Sequence, residues 1–490
     1  MKSIPLLFCL SLIIITTVII RPISPATIAH QDGLEITNSD LMVQTPAQEI
    51  GHTRSFWAVD YDRDVYYIID AKLYAVGNHC YIYFENSVVS RVGEEETNGR
   101  AEFYRDEFET SIYPKVTELL GNPNGTLGDI DGDPRIFILI MEHRMSCYRQ
   151  SNEVEGPHSN MCEMVYICYR SGSVLETIAH EFGHLVWFNY EFDEVHFILE
   201  GVAEYATYYA GYVPDDNCSV RTADFLNNIH DSFIYFEVEA QDYGACYLFA
   251  FYLAEQYGTQ FLSDLVQNDD DGAFGLETAL DGAGFSISFN ELYLDWMTAI
   301  TIDEQGFADD RYCLRDMDAT INDYTIVDSL PFKNDNVPLY LYGSKVHRIS
   351  SPPDAFSVEM SRLGDGVAGL SVAYRDNFGW HVKQMQDAEM AVINVSGESL
   401  VTAYIVASYL LSEATTGNID FGSGPLETAQ IYIYEVQVPS DSSGPTPASN
   451  NQELLILTGG LSVVLVIVVL PLIIRMERWR RGHNLATGGS

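Results

Sequence analysis

Hydrophobic and polar positions fall into two textures along the chain. Between Ser55 and Val89 the runs Phe56-Trp-Ala-Val, Tyr66-Tyr-Ile-Ile and Cys80-Tyr-Ile-Tyr-Phe are rich in β-branched and aromatic residues, the composition of strands. From Glu94 to Leu120, Phe103, Phe108, Ile112, Val116 and Leu119 recur at helical spacing, and Pro114 within them predicts a kink or a break. Ile136–Met141 and Met164–Tyr169 are short continuous apolar runs of the kind found in buried strands. Helical patterns return at Val174–Phe188, Phe197–Tyr209, Tyr243–Gln256 and Phe289–Thr301. Strands followed by helices predict an α+β domain over residues 55–328. Beyond it the texture changes. Leu339-Tyr-Leu-Tyr, Phe356-Ser-Val-Glu-Met, Gly369-Leu-Ser-Val-Ala-Tyr, Ala391-Val-Ile-Asn-Val, Thr402-Ala-Tyr-Ile-Val-Ala and Ile431-Tyr-Ile-Tyr-Glu-Val are separated by Gly, Pro, Asp and Ser. That spacing predicts an antiparallel β-sandwich over 329–438.

The two ends add a location. Residues 1–29 read as a secretory signal: Lys2 is the positive start, Leu6–Ile20 an apolar run, and Thr27-Ile28-Ala29 small residues of a cleavage site. An uncleaved N-terminal anchor is the alternative. Residues 30–54 look like a loose arm. Leu454–Ile474 is apolar and uncharged and long enough to span a bilayer, which predicts a transmembrane helix. Arg475, Arg478, Arg480 and Arg481 follow it and would mark 475–490 as a cytoplasmic tail, with everything before Leu454 outside the cell. The Pro/Ser-rich stretch 439–453 reads as a stalk.

Charge narrows the partners. Asp and Glu total 70 against 26 Lys and Arg, a formal net charge of -44 over 490 residues. Such a surface repels phosphate, so nucleic acid is excluded as a partner. The expected partners are a protein or peptide substrate and the membrane that holds the anchor. Of eight cysteines, one lies inside the signal. The rest are odd in number. Cys147 with Cys162 or Cys168, and Cys218 with Cys313, are plausible bridges, but spacing does not give connectivity.

The candidate chemistry sits in one stretch, Glu176-Thr-Ile-Ala-His180-Glu181-Phe182-Gly183-His184-Leu-Val-Trp. Two histidines at i and i+4 share a helix face and can bind one Zn²⁺. Glu181 between them can address a water on that metal. A tetrahedral site needs a third protein ligand and a position for water. Leu199-Glu200-Gly-Val-Ala-Glu204-Tyr lies one loop downstream on a predicted helix, and Glu200 follows His184 with 15 residues between. Glu204, one turn beyond Glu200, suits the carboxylate that receives the other N–H of a metal-bound histidine.

HEFGH followed by EGVAEY resembles the gluzincin metallopeptidases, the superfamily that holds thermolysin and the aminopeptidase-N-like enzymes. Phe56 to Gly121 resembles the region ahead of the motif in secreted peptidases of the hyicolysin and immune-inhibitor-A type. The resemblance covers roughly residues 55–300. It implies a zincin-like catalytic domain, a mixed sheet with helices, in which His180, His184 and Glu200 bind zinc and Glu181 is the general base. The Glu-x-x-x-Asp pattern of the superfamily maps onto Glu200 and Glu204, with Glu in place of Asp. Asp193 is the rival third ligand, since related families use an Asp nearer the motif. The oxyanion donor of such enzymes is Tyr or His; Tyr243 is favoured, with His230 as the rival and simple packing as the bland reading of Tyr243. The strand Glu163–Tyr169 is the candidate edge for pairing with substrate backbone.

Together these imply an extracellular, membrane-anchored zinc endopeptidase. An adhesin with a structural zinc site and an aminopeptidase are the alternatives. Retention of Glu181 argues against the first, and the absence of a Gly-x-Met-Glu-Asn-type run before the motif argues against the second. Asp129-Ile-Asp131-Gly-Asp133 alternates carboxylates in a Gly-containing loop, a Ca²⁺-like arrangement for which a solvated acidic turn is the alternative.

Overall fold

The computed structural model describes residues 47–436, apart from 61–62, 64, 124–128, 143–146, 149–156, 192, 213–219, 362–363, 365 and 413–423. The signal at 1–29, the stalk, the apolar run 454–474 and the tail at 475–490 lie outside the described residues.

The first sheet is built from β1 (Thr53–Asp60), β2 (Val65–Val76), β3 (Cys80–Glu85), β4 (Ile136–Met141), β5 (Cys147–Tyr148) and β6 (Met164–Cys168), in the order β1-β2-β3-β4-β6-β5. Strands β1, β2 and β3 form an antiparallel meander. β3, β4 and β6 run parallel, and β5 closes the edge antiparallel to β6. β4 and β6 are buried along their whole length, which is why they read as unbroken apolar runs rather than as alternation. Ile82, Ile138, Ile140, Val165 and Ile167 face the helices and join the large core. Tyr81, Tyr83, Phe137, Leu139, Met164 and Tyr166 face the other way, into a smaller core with Phe56 and Leu73.

Between β3 and β4 the chain makes α1 (Asn86–Val92), α2 (Glu94–Glu107) and α3 (Tyr113–Leu120). The break expected at Pro114 is a five-residue π turn over Phe108–Ile112 that joins α2 to α3 and leaves the proline in the first turn of α3. The wider turn accommodates a residue that has no N–H for the helical ladder.

The helical half follows: α4 (Val174–Phe188), α5 (His196–Tyr209), α6 (Val220–Leu226), α7 (Ala240–Tyr257), α8 (Thr259–Val266), α9 (Gly272–Gly282) and α10 (Phe289–Ile302). The Ser173 hydroxyl caps α4 by accepting from the Glu176 N–H. α10 starts with a reciprocal Ser288–Glu291 capping box. Helices α5 and α7 touch backbone to backbone at Gly201, where a Cβ would stand 2.5 Å from the Cys246 carbonyl oxygen. Nothing larger than glycine fits there.

The sandwich comprises β7 (Tyr324–Val327), β8 (Phe332–Tyr340), β9 (Ser344–Ile349), β10 (Ala355–Ser361), β11 (Val367–Asp376), β12 (Gly379–Asp387), β13 (Met390–Ser396), β14 (Thr402–Leu410) and β15 (Leu426–Glu435). Its sheets run β13-β10-β15-β8 and β12-β11-β14-β9-β7. β7 pairs parallel with β9, so the sandwich begins near 324, ahead of the boundary at 328/329 that the texture suggested. It is docked on the helical half through α10, which is buried almost all round. The Tyr293 hydroxyl donates to the Tyr342 carbonyl at 2.8 Å, and Gln384 Nε2 donates to Asp295 Oδ1 at 2.9 Å.

The architecture is therefore α+β, and one part of the expectation is corrected. Among the described residues no helix is long and apolar enough to cross a membrane, and the run at 454–474 lies outside them. That finding overturns the single-pass anchor and, with it, the extracellular placement built on it.

Candidate metal centre

α4 carries His180 and His184 one turn apart because the helix is uninterrupted through them, capped by Ser173 at one end and buried along Ile178, Phe182 and Leu185. Their rings meet nearly at right angles, with centroids 4.6 Å apart and Nε2 atoms 3.0 Å apart. α5 packs against α4 and brings Glu200 to the same point. Glu200 Oε2 lies 3.2 Å from His180 Nε2 and 3.4 Å from His184 Nε2. All three side chains are largely buried. Although both imidazoles are this close, Glu200 Oε2 makes no well-directed hydrogen bond among the described residues. Two ring nitrogens and a carboxylate oxygen that converge on one point have the placement of co-ligands. His180, His184 and Glu200 thus form a group able to hold a metal ion.

The electrostatics favour a cation there. Burial alone would lower the His180 pKa, but the Glu200 carboxylate beside it and the charges of Glu204 and Glu181 reverse this and raise it to about 9. Burial would raise Glu200, yet His184 and His180 hold its carboxyl well below the usual range. Glu181 is buried beside them.

Glu204 stands 3.6 Å from His180 Nδ1, on the far side of the ring from Glu200. It is ion-paired with Arg221 of α6. The Arg221 guanidinium in turn lies over the Tyr243 ring, 4.9 Å from its centroid. Tyr243 opens α7. Burial first, then Glu200, push its phenol well above the ordinary tyrosine range, and Glu181 and Glu204 add to this. The hydroxyl therefore keeps its proton. Arg221 was not singled out in the sequence; its segment shows no helical signal, and its role depends on contacts with Glu204 and Tyr243, both distant along the chain.

The rivals lie elsewhere. Asp193 and Glu191, in the loop between α4 and α5, sit with Asp271, the residue before α9, in a separate acidic group. Burial raises Glu191 there to about 7. His230 is partly exposed, with Nδ1 3.9 Å from Asp323 on the segment that leads into the sandwich. β6 is not a free edge, because β5 pairs with it at Tyr166 and Val165.

The acidic loop before β4 is rearranged relative to expectation. Asp133 does not join Asp129 and Asp131; it receives the Tyr81 hydroxyl at 2.5 Å and pairs with Arg135 at 2.7 Å. Glu163, at the start of β6, takes its place in the cluster. The signal for Glu163 was present as one charged residue abutting a strand otherwise wholly apolar.

No family model matches the chain, and no characterised protein matches it in sequence. Two solved structures give faint likeness. A surface-associated copper-binding protein important in copper acquisition by Methylomicrobium album BG8 is 8% identical, covering 23% of this chain and 97% of that one, with a TM-score of 0.18. A family 115 4-O-methyl-alpha-glucuronidase with specificity for decorated arabinogalactans is 9% identical, covering 53% of this chain and 39% of that one, with a TM-score of 0.14. Neither carries an argument about fold or activity.

Proposed function

We propose that the chain is a zinc-dependent endopeptidase whose site is His180, His184, Glu200, Glu181 and Tyr243. One observation carries the reading: His180 Nε2, His184 Nε2 and Glu200 Oε2 lie 3.0, 3.2 and 3.4 Å from one another. Three donors each about 2.0–2.1 Å from one tetrahedral zinc stand about 3.3 Å apart, so the donor set fits that ion in size as well as in chemistry. When bound, zinc would supply Lewis acidity toward a water and a peptide carbonyl.

The chain's own residues do the rest. Glu181 takes the proton of the attacking water on its carboxylate and returns it to the leaving amine. Tyr243, held protonated, donates to the oxygen that gains charge as the carbonyl is attacked. Glu204 faces the Nδ1 side of His180 and orients that ring. Arg221 clamps Glu204 and supports the Tyr243 ring, so the orienting carboxylate and the oxyanion donor share one anchor.

The test uses the purified full chain. Metal content and cleavage of unfolded casein are measured with and without a chelator, and again for Glu181→Gln. The expected result is one zinc per chain, chelator-sensitive cleavage, and a Glu181→Gln variant that keeps its zinc but cleaves about 100- to 10,000-fold more slowly. A Glu181→Gln variant as active as the wild type would end the peptidase reading. Cleavage confined to peptides with a free N-terminus would turn it into an aminopeptidase.

A further inference from the structure

We propose that Asp129, Asp131 and Glu163 form a structural calcium site at the end of the first sheet remote from α4. Their ligand oxygens all lie within 4.8 Å of one another. Calcium takes six to eight oxygen ligands at about 2.3–2.6 Å, so two ligands of one ion stand at most about 5 Å apart, and the group is within that span. The donors are all carboxylate oxygens, the set that selects a hard cation over zinc or copper.

Glu163 is the observation that separates this cluster from an ordinary acidic turn. Its side chain is 1% exposed. Its Oε1 accepts from the Ile130 N–H at 2.8 Å, but its Oε2 is buried with no hydrogen-bond partner among the described residues. A charged carboxylate oxygen removed from water with no donor is strongly unfavourable, and it is relieved either by taking up a proton or by a cation that meets it. The neighbouring arginines are committed elsewhere. Arg135 pairs with Asp133, and Arg54 donates to the Asn160 carbonyl while its guanidinium lies over Phe56 and Phe137. Asp129 and Asp131 are only partly buried, which leaves coordination positions open to water.

The position states a purpose. The 129–133 loop leads into β4, and Glu163 immediately precedes β6, where its carbonyl accepts from the Phe137 N–H at 2.8 Å. An ion here ties the loop to the first residues of two adjacent parallel strands. The other end of β6, about 16 Å away at ~3.3 Å per residue, leads into α4. The cation would stiffen the strand that presents the histidine helix without touching the histidines. This inference does not rest on the zinc reading.

The test titrates calcium chloride into the full chain by calorimetry, after chelator treatment and reloading with zinc, with magnesium chloride as the comparison. The wild type is expected to bind calcium in preference to magnesium. Glu163→Gln should lose one calcium equivalent or weaken it about tenfold or more, as neutralising one of three charged ligands does. Asp133→Asn should keep that equivalent. Should Glu163→Gln fail to fold, Asp129→Asn carries the same expectation from a partly exposed position. The acidic group at Glu191, Asp193 and Asp271 is untouched by these changes, so the reading is the difference from wild type. No calcium binding at millimolar concentration, equal binding of magnesium, unchanged binding in the Asp129 and Glu163 variants, or loss only in Asp133→Asn would each overturn the proposal. Zinc content is read separately, so a chain that binds calcium but no zinc would refute the peptidase and leave this site standing.

Discussion

His180 and His347 are both shielded from water, with opposite outcomes. His180, in the cleft between α4 and α5, is raised to about 9 by carboxylates that outweigh its burial. His347, in β9 of the sandwich, is lowered to about 4 by burial first and the Lys345 charge second. Neither nitrogen of His347 has a hydrogen-bond partner among the described residues, and its ring packs edge-on to Phe332, centroids 5.4 Å apart. Burial alone makes a histidine a neutral piece of core. Burial together with Glu200, Glu204 and Glu181 makes one a cation-seeking ligand. The company of the ring, more than its depth, separates a site from packing.

The largest effect that tests the contrast comes from removing that company. Glu200→Gln keeps the shape of α5 but removes the charge opposite both imidazoles. Zinc content after dialysis should fall from one per chain to near zero, and casein cleavage should vanish with it. A variant that kept zinc and activity would make Asp193 or another group the third ligand and break the comparison at its stronger pole.

The sandwich gives the next effect, and its sign is opposite to that of a paired carboxylate. His347 stays neutral when folded down to about pH 4, whereas the unfolded chain takes the proton below 6.5. Its contribution is therefore full above pH 6.5 and is lost as pH falls from 6.5 through 4. The shift corresponds to about 3 kcal/mol at the acid end. Urea unfolding of the sandwich should lose that stability between pH 7 and 4, and His347→Leu should flatten the loss. An equal acid loss in the variant would mean that carboxylates, rather than this ring, set the acid limit.

Smaller again is the effect of Arg221→Met. It breaks the ion pair with Glu204 and removes the cation from the Tyr243 ring. Partners that orient a metal-bound histidine are worth about 10- to 100-fold in metal affinity or activity. Zinc affinity and kcat should fall by that amount with native circular dichroism. Affinity and kcat both unchanged would leave Glu204 able to hold His180 without help.

What the sequence made legible follows the same division. His180, His184, Glu200 and Glu204 could be grouped because each pair repeats at helical spacing, a relation written locally in the chain. The two α+β and sandwich textures were legible for the same reason, and helices at 174–188 and 289–302 fall within a residue of the pattern. Helices α1, α6 and α8 were missed because, at seven or eight residues, each is too short for a helical period to stand out. Arg221, the place of Glu163 in the loop cluster and the role of His347 were not legible. Each is defined by a partner on another element, Glu204, Ile130 and Phe332 respectively, and no local pattern encodes such a meeting. Asp133 shows the converse. It looked like a third ligand by spacing, and Tyr81 and Arg135 had already claimed it.

The smallest effect sharpens the comparison most finely. Lys345 is the second cause of the low His347 value, after burial. It is the sandwich counterpart of the carboxylates around His180, a charged neighbour that pushes the ring down rather than up. Its ammonium is already paired with Asp323 at 2.6 Å and is partly exposed, so its field at the ring is screened. Lys345→Met should therefore shrink the acid-dependent loss of stability by only a few tenths of a kcal/mol, the size of a partly exposed charge interaction. The measurement is the difference between the urea midpoints at pH 7 and pH 4.5, taken for wild type, Lys345→Met and Asp323→Asn. Asp323→Asn frees the ammonium from its partner and should move the difference the other way. If Lys345→Met instead abolished the acid loss, charge rather than burial would govern His347. The two histidines would then differ only in the sign of their neighbours, and depth would drop out of the account.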